Sequence, residues 1–144
     1  MRTTFRFETL TVWQRAADVS MLVFGCADRL ERAKQFRFAE QLRAAMLSVT
    51  NNIAEGSGSA SKREFAQFVN IARRSVFEVV NMLVMFERQG LVDPAECEPW
   101  LTELEGISKM LEAFRKKLVS GLRGTALVMI GFLLIAFWIG NSLP

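Results

Sequence analysis

Between Phe65 and Phe86 the chain returns to an apolar or small side chain in steps of three and four: Phe65, Phe68, Ala72, Ser75, Val79, Met82 and Phe86. Only a coil of about 3.6 residues per turn puts such a series on one side, so this stretch predicts a helix with a continuous seam. A second row, Val69, Val76, Val80 and Leu83, widens the apolar face. Phe77, Met82, Met85 and Phe86 could suggest a cofactor groove, but at helical spacing they read as core. Ser61-Lys62-Arg63-Glu64 sets the start of the helix. A serine followed three residues later by glutamate is a capping box, each side chain closing a free amide of the other.

Three further stretches follow the same rule. Leu10, Trp13, Ala17, Met21 and Phe24 give a stripe for a helix over 10–32. Phe38, Leu42, Ala45, Met46, Val49 and Ile53 give one for 38–54, with Gly56 placed to end it in the left-handed conformation. Trp100, Leu104, Ile107, Leu111, Phe114 and Leu118 give the fourth, opened by Asp93 as cap and Pro94 at the first helical position. No segment alternates with period two. Four amphipathic helices joined by short connections predict an all-α fold, an antiparallel up-and-down four-helix bundle over residues 1–120.

Residues 121–144 behave differently. From Thr125 through Leu133 and Trp138 to Leu143 there are nineteen residues without a charge. As a helix they would span roughly 28 Å, close to a bilayer's hydrocarbon thickness. The expectation is one C-terminal transmembrane helix, a tail anchor, with Trp138 near an interface. Charge placement agrees. Of 18 basic residues four, Arg115, Lys116, Lys117 and Arg123, follow the last acidic one, Glu112; the remaining 14 face 15 acids, so the net +3 belongs to one short juxtamembrane segment. Basic residues stay on the cytoplasmic side, so the bundle is expected in the cytoplasm, against a bacterial inner membrane crossed once.

The absence of histidine removes imidazole acid–base chemistry and the His ligands of di-iron bundles. Cys26 and Cys97 lack metal-site spacing and read as reduced thiols. GSGSAS, residues 56–61, has no P-loop lysine and follows a helix rather than a strand. No enzyme, cofactor, metal or small-molecule substrate is expected.

Val12-Trp13-Gln14, Gln41-Leu42-Arg43-Ala44-Ala45, Asn52-Ile53-Ala54-Glu55-Gly56, and Phe65, Phe68, Asn70-Ile71-Ala72-Arg73, Ser75 and Glu78 together resemble one bacterial family. It is the four-helix-bundle family associated with intervening sequences of 23S ribosomal RNA genes, and the likeness covers about residues 5–118. The resemblance implies an antiparallel bundle, homo-oligomeric and often pentameric, without enzymatic activity and with suspected RNA or nucleoprotein association. The chain departs from the family pattern at Thr50-Asn51, at Ser57-Gly58-Ser59, where an aromatic and a basic residue are common, and at Arg74, where a small residue is usual.

Two groups of residues are candidate sites. Asn52, Glu55 and Gly56 form the family-motif turn; Glu55 sits where a helix dipole disfavours it, so it is expected to pair with Arg43 or Arg73 and fix the turn. Arg29, Arg32, Lys34, Arg37, Arg43, Arg63, Arg73 and Arg74 make the first half basic, whereas residues 79–112 hold Arg88 and Lys109 against seven acids. That polarity predicts either a phosphate-binding face or a solvated face meeting its complement in another subunit. Three functions follow as expectations: a membrane-tethered homo-oligomeric scaffold or interaction module, an RNA-binding accessory protein of the ribosomal or retroelement type, and a membrane-perturbing effector. The corresponding partners are other copies of the chain, membrane lipid, and RNA or a nucleoprotein.

Overall fold

The computed structural model describes the backbone of residues 2–141 and the side chains of 2–120. A short 3-10 turn, Arg6–Thr9, precedes four α-helices: α1 (Thr11–Arg32), α2 (Phe36–Ser57), α3 (Lys62–Arg88) and α4 (Pro94–Asn141). There is no strand among the described residues. Each helix packs on the next and α4 returns to α1, while among the described residues the backbones of the diagonal pairs do not come close. With connections this short, consecutive helices are antiparallel, which makes the up-and-down bundle. The core is one cluster with members from all four helices. Its fully buried large side chains include Leu42, Met46, Ile53, Leu83, Leu104, Ile107 and Leu111. Each contributes roughly 1.5–3 kcal/mol by leaving water.

The helix ends have identifiable chemistry. Asp93 Oδ1 accepts from the Ala95 amide at 2.8 Å and so caps α4. Ser61 Oγ accepts from the Glu64 amide at 3.2 Å; the return bond from the Glu64 side chain is not made, so half of the expected capping box forms. The α3 end closes on Gly90 at φ +70°, with the Leu91 amide donating to Phe86 O at 2.9 Å. Left-handed backbone at this place is the usual use of glycine. At the end of α1 the same conformation falls on Lys34, φ +63°, and the Gln35 amide donates to Leu30 O at 2.8 Å.

Three sequence expectations are corrected. The buried row of α1 is Val12, Ala16, Val19, Val23, Cys26, Ala27 and Leu30, not the row through Met21, which is 70% exposed. Valine and alanine let neighbouring helices approach closely, and the larger Trp13 and Phe24 sit half-buried at the flank; Trp13 is covered edge-on by Phe7, ring centroids 4.9 Å apart. Phe77 and Met85 are exposed rather than core, while Met82 and Phe86 are buried as expected. Finally, Gly56 does not end α2, which continues to Ser57 and closes with right-handed backbone at Gly58, φ −87°.

Arg15 on α1 ties the α1–α4 seam with a two-pronged pair to Glu103, Nε–Oε1 2.6 Å and Nη2–Oε2 2.7 Å. The bond from Arg15 holds the Glu103 carboxyl below its ordinary value of 4.5. Both side chains are part-exposed, so Glu103→Gln is expected to cost only about 0.5–1 kcal/mol at neutral pH. A depressed folded-state value gives stability that is present above the unfolded value and lost as pH falls through the folded one. Thermal melts from pH 7 to 3 should therefore show the gap between wild type and variant closing below about pH 4.5, the ordinary value.

Candidate functional site

The end of the bundle from which α4 runs on is built by the end of α2, the start of α3 and the middle of α4. Gly56 is its pivot. A side chain there would place Cβ 2.5 Å from Phe65 Cδ2 and 2.8 Å from Phe68 Cβ, so only a glycine lets α3 fold back this closely. Phe65 in turn meets Phe114 of α4 edge-on, centroids 5.0 Å apart. The Arg6 guanidinium lies 5.8 Å from the Phe65 ring centre and donates to Ser57 O at 3.1 Å. Asn52, Glu55 and Gly56 thus lie inside α2 and do not form a turn. Asn52 Nδ2 donates to Ser48 O at 2.7 Å, and Ser48 Oγ meets Ser75 Oγ across the α2–α3 seam at 2.8 Å. The serine in the α3 seam is explained by this bond, which sequence reasoning missed. Glu55 is exposed and makes no ion pair among the described residues; Arg43 and Arg73 are engaged elsewhere.

The eight basic residues do not form one face. Arg29 pairs with Glu96 at 2.7 Å, and Arg43 bridges Asp28 at 2.5 Å and Glu31 at 2.7 Å. Arg73 leans on the Phe77 ring at 5.2 Å and reaches Glu112 at 3.9 Å. Arg32, Lys34, Arg37, Arg63 and Arg74 make no ion pair among the described residues. The first three belong to the α1–α2 connection at one end, where Lys34 and Arg37 line a shallow cleft with Phe36 and Phe38. Arg63 stands at the other end, and Arg74 lies along the outer row of α3. An antiparallel bundle separates what the sequence lists together, because residues at opposite ends of a hairpin's two arms share a polarity but not a surface.

A different grouping results. Arg63, Ala66, Gln67 and Asn70 of α3 and Arg115 and Val119 of α4 line one open groove of about 550 Å³. Arg115, Lys116, Val119 and Ser120 line the neighbouring depression. Neither contains a carboxylate, whereas the α1–α4 groove includes Asp18 and Glu103, and the cleft near the start of α4 includes Glu87, Glu98 and Glu105. The acid nearest the basic groove, Glu112, is held by Arg115 at 3.2 Å and Lys116 at 3.7 Å. The Arg115 hydrogen bond keeps its carboxyl below the usual range. The row Arg63, Gln67, Asn70, Arg74, in steps of four, three and four, was readable as an outer face of α3; it lacked its partner helix.

The family model described as 23S rRNA-intervening sequence protein matches residues 8–113. The chain belongs to this family. The intervening-sequence match takes in α1, α2, α3 and the first part of α4, and stops short of the tail. Among solved structures, a protein described as being of unknown function, from the S23 ribosomal protein family of Bacteroides thetaiotaomicron, superposes with a TM-score of 0.70. The identity is 20%, and the alignment covers 74% of this chain and 99% of the other, so it supports the bundle fold alone. No curated protein matches the chain. The segment Thr125–Leu143, including Leu133 and Trp138, and Arg123 before it, lie outside the residues whose side chains are described; among those described, no helix is long and apolar enough to cross a membrane.

Cys26 and Cys97 are both buried, and burial pushes both thiols up, Cys97 to about 11. Only the thiolate reacts. At pH 8 a rise from 9.0 to about 11 lowers the Cys97 thiolate about a hundredfold. Ellman's reagent should accordingly label neither thiol quickly in the native protein and both within minutes after denaturation.

Proposed function

We propose that this member of the intervening-sequence family is a non-enzymatic interaction module, held at the inner face of a bacterial membrane by its tail and assembled with further copies of itself. What carries the reading is a juxtaposition. In the sequence the charge-free stretch 125–143 follows shortly after Arg115, Lys116 and Lys117, and helix α4, which carries these three, continues to Asn141. A basic end beside an uncharged span is the arrangement that favours a cytoplasmic membrane surface. Self-association is supported by large apolar side chains left on the outer rows, Met21, Leu22, Leu47, Ile71, Phe77 and Met85.

Membrane fractionation tests the tether. The full chain is expected in the pellet and to resist alkaline carbonate, and a version ending at Gly121 is expected in the supernatant. Equal solubility of the two without detergent would remove the reading. A second reading, an RNA-associated accessory protein, rests on the family description and on the carboxylate-free α3–α4 groove. It requires salt-dependent binding of RNA, with affinity falling steeply as ionic strength rises.

A further inference from the structure

We propose that the α3–α4 groove is a binding site for the headgroup of an anionic phospholipid, so that the bundle itself, and not only its tail, reads the membrane. This rests on the tethered reading above and adds sequence-distant residues to it. The fold brings Arg63 and its helical neighbours Gln67 and Asn70 beside Arg115, more than forty positions away in the chain.

Three observations point to a phosphate on a lipid. First, the polar lining can donate. Arg63 has no acidic partner among the described residues, Gln67 and Asn70 bring side-chain amides, and Arg115 keeps donors beyond those given to Glu112. Glu55 and Glu64 stand at the same end, but neither lines the groove. Guanidinium and amide donors lining one groove, with the nearby Glu112 carboxylate already held by Arg115, match phosphate oxygens. Second, the groove has an apolar floor, Ala66 and Val119, where the glycerol and the first methylenes of a lipid would lie. Third, its position is right. Val119 precedes the uncharged stretch by six residues, roughly 9 Å along a helix, and the headgroup layer is about 5–7 Å deep on each side of the hydrocarbon. Arginine side chains cover the difference by extending toward the interface.

Native mass spectrometry of the detergent-solubilised full chain, given equal phosphatidylglycerol and phosphatidylcholine of matched acyl length, tests this. Wild type is expected to retain phosphatidylglycerol in preference. Arg63→Gln and Arg115→Gln should each reduce that preference about fivefold, the effect of one basic residue at an anionic surface. Arg63→Lys should keep most of it. Arg88→Gln, exposed at the opposite end, should leave it unchanged, and unaltered melting temperatures would establish that the variants fold. Equal retention of the two lipids, or a preference surviving both substitutions in a chain that carbonate leaves in the membrane, overturns the groove assignment alone. Release of the full chain by carbonate overturns the tether. If both substitutions instead weaken binding of a single-stranded RNA and leave the lipid preference intact, the groove belongs to nucleic acid and the proposal fails.

Discussion

Gly56→Leu is expected to leave little folded protein, and Gly56→Ala to lower the melting temperature by several degrees. Ordinarily alanine for glycine inside a helix gains up to about 1 kcal/mol. Here the new Cβ would meet a Phe65 ring edge at 2.5 Å and Phe68 Cβ at 2.8 Å. Neither neighbour can give way cheaply. Phe65 is buried and fixed by Phe114 and Arg6, and a Cβ moves only with its backbone. Overpacking costs typically 1–3 kcal/mol, and contacts this short belong at the upper end, so after the helix gain alanine should end about 1–2 kcal/mol less stable and leucine far more. Gly25→Ala is the matched control. Nothing lies within 4 Å of a Cβ there, in the middle of α1, and the substitution should raise stability by about 0.5–1 kcal/mol. Circular-dichroism melts of the three variants read all of this. A Gly56→Ala protein as stable as wild type would mean that α2 and α3 do not meet this closely.

The same glycine shows where sequence reasoning stops. A glycine near the end of an apolar-periodic run reads as a left-handed stop, and at Gly90 that is what glycine does. At Gly56 the requirement comes from another helix, and no local pattern carries it. Helix existence was legible in the sequence because burial repeats with the helical period: α2 buries Leu42, Ala45, Met46, Val49 and Ile53 of its expected row but leaves Phe38 exposed, and α4 buries Trp100, Leu104, Ile107, Leu111 and Leu118 with Phe114 half-buried. The starts of α3 and α4 were legible because a serine or aspartate cap acts within three residues. The phase of α1 was not. Two apolar rows run along it, and the bulkier one was given the core although packing density between helices favours the smaller.

The candidate site was legible in kind but not in membership. Composition gives the sign of a surface and not its location. Of the eight basic residues grouped by position, the structure spends Arg29 and Arg43 on acids and sends Arg32, Lys34 and Arg37 to one end and Arg63 to the other. The groove that results takes one residue from that group and one, Arg115, from the juxtamembrane set. Gln67, and Asn70, which the sequence marked only as part of the family motif, become part of it only because α4 lies alongside. Hairpin topology decides which charges add, and it acts over distances that a charge count does not see.

The phase of α1 can be tested with one substitution on each row. Val23→Asp is expected to unfold the bundle or nearly so, while Met21→Asp is expected to change stability by no more than about 0.5 kcal/mol. Val23 is fully buried against the core, and no basic side chain belongs to that cluster. A carboxylate placed there must either stay charged without a partner or take up a proton far above its usual range. Either route costs about 3–5 kcal/mol, a large share of the 5–15 kcal/mol available to a domain of this size. Because burial raises the carboxyl's pKa in the folded state above its unfolded value, the folded variant takes up a proton first, and the loss should shrink as pH falls from 7 toward 5, here because the variant gains stability rather than because the wild type loses it. Met21 is 70% exposed, so aspartate there stays in water and loses only helix preference. Urea titrations at pH 7 and 5 give both answers. Were Met21→Asp the damaging member of the pair, α1 would be rotated relative to this structure, and its seam with α4, including Arg15 and Glu103, would have to be redrawn.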